Sequence, residues 1–227
     1  MRSCIVFSVP RSGTHLVMKL LHYLGLKEWY PDVLKNGLLN IFNMPSEGYY
    51  CFGAHLPASD TFKEALTKSN LKAIYILRNP RAVTVSQVKY YSTRPSEKYI
   101  YEALQNYTED EAIKKIIEGI SVFKPLSERY KMKNGWMNHP NVYTTHFERL
   151  VGKKGNGSDE TQYFEIKNIA SHLNIDISDK HIHSIQQRLF GNELYTNNFR
   201  QGKIDDWKNY WTEEHEKLFK KYFNSIY

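Results

Sequence analysis

Residues 4–24 read CIVFSVPRSGTHLVMKLLHYL, a strand that runs through one short turn into a helix, and little else in the chain limits the fold as severely. Cys4, Ile5, Val6, Phe7, Ser8 and Val9 form a β-branched and aromatic run suited to a strand buried on both faces. Pro10-Arg11-Ser12-Gly13-Thr14 breaks it. Leu16, Val17, Leu20, Leu21 and Leu24 then recur at helical spacing, so the turn delivers its N–H groups to a helix N-terminus, where unpaired donors and the helix dipole favour an anion. Gly13 permits close approach, and Ser12 and Thr14 add hydroxyl donors. Read alone, the segment is equally an ordinary strand-to-helix turn with one surface arginine. It is not a GxxxxGK[ST] loop, because the second glycine and the lysine are missing, which argues against a magnesium-dependent kinase.

A second strand, Leu71 to Leu77, runs into Arg78-Asn79-Pro80-Arg81 and then a helix carrying Ala82, Val83, Val85 and Val88. Pro80 is tolerated in a first helical turn and biases Asn79 away from the α region. Arg78 therefore sits at the carboxyl edge of a strand, where open α/β sheets bind ligands, and Ser86 lies about two turns along the helix. Further strands are expected at Tyr50–Ala54 and Val142–His146. Strands alternating with helices imply an α/β fold, a mostly parallel central sheet flanked by helices with a phosphate-binding strand-loop-helix. Glu109 to Met132 and Glu213 to Phe223 have helical spacing and are expected to pack on the sheet. Lys153 to Asp159 reads as a flexible surface loop, and a single domain over 1–227 is the economical count.

The three segments VPRSGTHL, RNPRAVTVS and RQGKIDDW resemble, in that order, the 5′-phosphosulfate loop, the 3′-phosphate strand-loop-helix and the late RKGxxGDW loop of sulfotransferases. GAHLP, ending at Pro57, is similar to the KTHLP segment that carries the catalytic histidine of the cytosolic members. The matches span residues 5 to 207, and the chain is identified as a bacterial or otherwise divergent member of the PAPS-dependent family. The resemblance implies a P-loop-like sulfotransferase fold. It also implies transfer of the sulfuryl group of 3′-phosphoadenosine 5′-phosphosulfate (PAPS) to a hydroxyl or amine of a small-molecule acceptor, leaving 3′,5′-bisphosphoadenosine (PAP) and requiring no metal. Arg11 would neutralise charge on the bridging oxygen, and Ser12, Gly13, Thr14 and His15 would meet the 5′-phosphate. Arg78 and Ser86 match the 3′-phosphate ligands, Arg200, Gln201 and Gly202 the late loop, and Ser184 the adenine-side segment. His55 would be the general base, with Glu47, Asp60 and His15 as competitors.

The sequence departs from the family at several of these positions. Leu16 stands where a tryptophan stacks on adenine, Gly53 where KTHLP has lysine, Gln201 where the late loop has lysine, and Asp205 where it has glycine. Phe147 replaces a hydroxylated aromatic. A P-loop kinase of nucleotides or small molecules, and a catalytically inert nucleotide-binding protein, stay open as alternatives.

A formal charge of +7 invites a nucleic-acid partner, but the basic residues are dispersed and no aromatic-interleaved basic stripe appears. A multiply charged nucleotide suits the same field. Cys4 and Cys51 give neither a disulfide framework nor metal-ligand spacing. No apolar run approaches membrane-spanning length, so the expectation is a cytoplasmic protein without membrane or nucleic-acid partners. Tyr49, Tyr50, Phe52, Tyr90, Tyr91 and Trp136 suggest an aromatic acceptor pocket, which core packing would explain as well. Lys208 and Thr212 match the family's dimer motif whereas Glu213 and Lys217 do not, so the oligomeric state is open.

Overall fold

A computed structural model of the chain describes residues 3–191, 194 and 199–224. Its strands are β1 (Cys4–Ser8), β2 (Lys27–Glu28), β3 (Tyr50–Ala54), β4 (Lys72–Leu77) and β5 (Val142–His146). Its helices are α1 (Thr14–Tyr23), α2 (Val33–Asn36), α3 (Asp60–Ser69), α4 (Pro80–Tyr91), α5 (Lys98–Leu104), α6 (Glu109–Glu118), α7 (Leu126–Asn134), α8 (Phe147–Leu150), α9 (Asp159–His172), α10 (Asp179–Leu189) and α11 (Glu213–Phe223). These fall into two compact units, Met1–Arg78 with Gly135–Ile204 and Asn79–Asn134 with Asp205–Tyr227.

The first unit holds the whole sheet, in the order β2-β3-β1-β4-β5 with every pair parallel. Parallel strands need both faces covered, and the residue alternation supplies two apolar surfaces. Cys4, Val6, Cys51, Ile74 and Ile76 join Val17, Met18, Leu20 and Leu21 of α1 and the buried isoleucines of α9 and α10 in one core. On β1 the side chain of Phe7 instead stacks on Trp136, with centroids 4.1 Å apart and planes 7° from parallel. Each fully buried Leu, Ile or Phe stabilises the fold by roughly 1.5–3 kcal/mol, so the strand ends are held by a two-sided core. Because β3 and β4 lie on opposite sides of β1, the chain reverses direction across the sheet there. Open α/β sheets bind ligands outside the carboxyl ends of their strands at such a reversal.

Trp136 is fully buried, and its indole N–H donates to the Leu56 carbonyl at 3.2 Å. It is therefore a core residue that pins the chain just after His55, which answers the question left open by the aromatic cluster. Tyr91 is also buried, while Tyr49 is exposed.

The second unit contains α4 to α7 and α11, with α6 packed on α4, α7 and α11. The helix expected from Glu109 to Met132 is two helices. Gly119 ends α6 at φ 89°, and a Cβ there would lie 2.7 Å from the Pro125 nitrogen. That close approach, and the proline at its far side, break a pattern whose apolar spacing is otherwise continuous. Arg129 is enclosed by the Gln87 side chain at 2.9 Å, the Lys124 carbonyl at 2.9 Å and the Phe123 ring at 3.7 Å. Burial lowers its pKa to about 10 and, with Arg129 beside it, that of Lys133 to about 8.

The tract 153–159 is built rather than loose. Lys153–Gly155 forms a 3-10 turn with Gly155 buried, the Lys153 N–H donates to Asp159 at 2.8 Å, and Ser158 caps α9. Cys4 and Cys51 are both buried, and burial pushes Cys51 up to about 12 and Cys4 well above the usual thiol value. Inert core thiols follow.

Candidate active site

Four strand ends in the first unit deliver the side chains at issue. β1 ends at Ser8 and opens the turn Val9–Gly13; β3 is followed by His55; β4 by Arg78; and β5 by Phe147. The register makes these residues neighbours. Phe7 lies opposite Ala54 and Leu77 opposite His146, so the following residues, Ser8 with His55 and Arg78 with Phe147, are brought side by side.

The turn is strained in a way that aims it. Arg11 has φ 72°, in the left-handed region that costs a non-glycine residue about 1–2 kcal/mol. Gly13, the N-cap of α1, has φ 109°, and no side chain caps the helix. A Cβ on Gly13 would meet the Phe147 ring at 2.9 Å and Ile76 at 3.0 Å, so only glycine fits between them. The Gly13 carbonyl accepts from Leu16 and Val17, which leaves the first N–H groups of α1 without an intrahelical partner.

Inside this turn the Ser12 side chain is wholly buried, and its hydroxyl has no hydrogen-bond partner among the described residues. A buried hydroxyl left so costs about 1–3 kcal/mol. Backbone strain, a buried hydroxyl and an uncapped helix end are features that suit an anion.

A backbone carbonyl and an aromatic ring position Arg78. One guanidinium nitrogen donates to the Arg11 carbonyl at 3.3 Å, and the guanidinium lies over the Phe147 ring at 4.0 Å. Phe147 thus carries Arg78 and abuts Gly13, a role a ring without a hydroxyl performs fully. His15 is solvent-exposed on one side, yet loss of solvation and then the Arg11 cation lower its pKa, against a smaller opposing pull from Glu28. A neutral imidazole near pH 7 follows.

His55 is exposed, and its Nδ1 lies 3.0 Å from the Ser8 hydroxyl and 3.1 Å from the Ser8 carbonyl. The Ser8 hydroxyl also lies 2.7 Å from that of Thr14. Gly53, two residues earlier on β3, is pressed against α1, where a Cβ would come within 2.9 Å of the Thr14 methyl.

Gly202 has φ 66° and sits between Phe199 and Phe190, in a loop tied to Gly155 by the Ile204 N–H at 3.0 Å. Arg200 and Gln201 are exposed on that loop. Ser184 is half-buried on α10, and no hydrogen bond or ion pair joins it to the turn among the described residues. Ser86 belongs to the second unit, where it is 9% exposed on α4. Glu47 is exposed in the segment before β3, and Asp60 is exposed on α3 and paired with Lys63 at 3.8 Å.

Sequence reasoning overlooked Ser8 and the positive part played by Phe147. The available signal for Ser8 was a lone hydroxyl in an otherwise apolar strand, immediately before the turn.

Among the described residues, no helix is long and apolar enough to cross a membrane, and no group of three or more His, Cys, Asp or Glu could hold a metal ion.

A parallel sheet with helices between its strands and an uncapped helix start after β1 places the chain in the α/β class. The family model of the sulfotransferase domain matches residues 15–226, and the chain belongs to the sulfotransferase family. Among solved structures it is similar to mouse sulfotransferase SULT7A1 complexed with PAP, with a TM-score of 0.73 and 20% identity over 99% of this chain and 86% of that one. Retinol dehydratase in complex with androsterone and inactive cofactor PAP gives a TM-score of 0.69 and 17% identity over 98% and 80%. At these identities the likeness is one of fold. No curated protein matches in sequence.

Proposed function

We propose that this chain is a PAPS-dependent sulfotransferase acting on a hydroxyl or amine of a small-molecule acceptor. The observation that carries the reading is the buried, unpartnered Ser12 hydroxyl at the uncapped start of α1. The residues present fit a 5′-phosphosulfate there: backbone donors, a glycine that no side chain could replace, and the adjoining arginine.

The bound nucleotide supplies the sulfuryl group and the leaving oxygen, and the protein supplies position and charge. Ser12, Gly13, Thr14 and His15 would hold the 5′ end, and Arg11 would balance charge growing on the bridging oxygen. Arg78, fixed by Phe147, would take the 3′-phosphate. Ser86, Ser184, Arg200, Gln201 and Gly202 are assigned to the nucleotide by motif alone. His55 would accept the acceptor's proton at Nε2, since Nδ1 is turned toward Ser8. Positioning of this kind can supply most of the acceleration, as in phosphoryl transfer.

Calorimetric titration tests the reading directly. PAP should bind far more tightly than AMP, and equal affinities would overturn the 3′-phosphate assignment. Turnover of labelled donor across phenols, alcohols, amines and sugars should survive excess EDTA, whereas magnesium-reversible loss would favour a kinase. A second reading, nucleotide binding without turnover, draws support from Gly53, because the Thr14 methyl fills the space a lysine stem would need. Tight PAP binding with no acceptor turned over would select it.

A further inference from the structure

We infer that Ser8 is a positioning residue that couples the tautomer of His55 to the anion site at the start of α1. The inference rests on the reading of His55 as the base.

A backbone carbonyl only accepts hydrogen bonds, so the 3.1 Å contact between His55 Nδ1 and the Ser8 carbonyl puts the ring proton on Nδ1. The Ser8 hydroxyl, 3.0 Å from the same nitrogen, must then accept as well. Its own proton is left to donate to Thr14 at 2.7 Å. Thr14, having accepted, directs its proton elsewhere, and it makes no other side-chain hydrogen bond among the described residues. Thr14 is the first residue of α1, so that proton is available to an anion meeting the N–H groups beside it.

One consistent set of orientations therefore runs from base to helix end: Nδ1–H to Ser8, Ser8 to Thr14, Thr14 to the anion. No proton is transferred along it. In the neutral ring it leaves the Nε2 lone pair facing away from Ser8, as a base requires. The reverse orientation would break the carbonyl contact and turn a donor rather than an acceptor toward the substrate. Ser8 and Thr14 are both buried, so water does not compete for these groups.

The test begins with the unaltered protein. ¹⁵N spectra of histidine-labelled chain, with His55 assigned by loss of its signals in His55→Gln, should show a protonated Nδ1 and an unprotonated Nε2 in the neutral ring, and PAP should enlarge that preference. In Ser8→Ala the carbonyl contact survives but the link to Thr14 does not. The expected result is an Nδ1-protonated ring whose preference PAP no longer enlarges, and a loss in kcat of about tenfold, typical of removing a hydrogen bond that orients a reacting group, with acceptor KM unchanged. Thr14→Val should lose a similar factor, and the double variant no more than either alone. A proton on Nε2 in the parent, or Ser8→Ala with parental kcat and a parental response of the tautomer to PAP, overturns the inference. If the chain binds PAP but turns over no acceptor, the assignment of the base fails, while the tautomer and its response to PAP still decide the Ser8 link.

Discussion

Arg78 and Arg81 are three residues apart, and different contacts hold them. In the second unit Arg81 is gripped by both oxygens of Glu216, at 2.8 and 2.7 Å, and lies over the Phe219 ring at 4.1 Å. In the first, Arg78 rests on the Phe147 ring and donates to a backbone carbonyl. A carboxylate offsets the Arg81 charge, whereas the ring and the carbonyl fix the orientation of Arg78. The first arrangement ties α4 to α11, and the second orients the Arg78 guanidinium at the end of β4.

Breaking the first unit's site should cost function far more than stability, with the largest effect at His55. His55→Ala should lower kcat by about two to four orders of magnitude, with PAP affinity nearly unchanged in the same titration. Glu47→Ala is the control and should be mild; the opposite pattern would move the base to a carboxylate.

The arginine contrast is sharpened by exchanging readouts. Arg78→Ala should reduce PAP affinity by roughly 10- to 100-fold while AMP binding and the melting temperature stay close to the parent's, as expected for one lost charge-assisted contact. Arg81→Ala should instead lower the melting temperature. Calorimetry and thermal melts on the two variants would sink the distinction if the losses came out reversed.

Gly13→Ala joins the two readouts. It forces a side chain into φ 109° and against Phe147, so destabilisation of about 1–3 kcal/mol is expected in a denaturant titration.

The smallest effect is a pH dependence in the second unit. Hydrogen bonding from Arg81 lowers the Glu216 pKa to about 2 from an ordinary 4.5. A depressed carboxylate stabilises the fold above its unfolded pKa and ceases to as pH falls through the folded one. The window is therefore pH 4.5 down to about 2, and for this partly exposed pair the contribution is about 1–2 kcal/mol after allowing for solvent screening. Glu216→Gln should flatten that part of the stability profile.

What could be read from the sequence was local. The strands at Cys4, Tyr50, Leu71 and Val142, the turn at Pro10–Gly13 and the arginine at a strand end all rest on short-range pattern, and all stand within a residue of their expected bounds. The two-residue β2 carries too little pattern to see. The break at Gly119 was masked because apolar spacing resumes in phase after Pro125. Contacts that depend on register were beyond local reading. Nothing near Ser8 says that β3 will lie beside it, and nothing near Arg78 says that β5 will place a ring beneath it. Trp136 shows the converse, an aromatic whose neighbours in sequence suggest a pocket and whose neighbours in space make it core.

The contact between Gly53 and Thr14 restricts how this chain could change. Thr14 has its hydroxyl turned to Ser8, and its methyl is thereby left facing β3. A lysine at position 53, as in the resembling KTHLP segment, cannot be introduced alone. It needs Thr14 to shrink or rotate first, and rotation gives up the bond to Ser8. The two positions behave as one heritable choice: a second cation beside the reaction, or a threonine fixed between helix and base. Thr14→Ser followed by Gly53→Lys is the order in which the choice could be reversed.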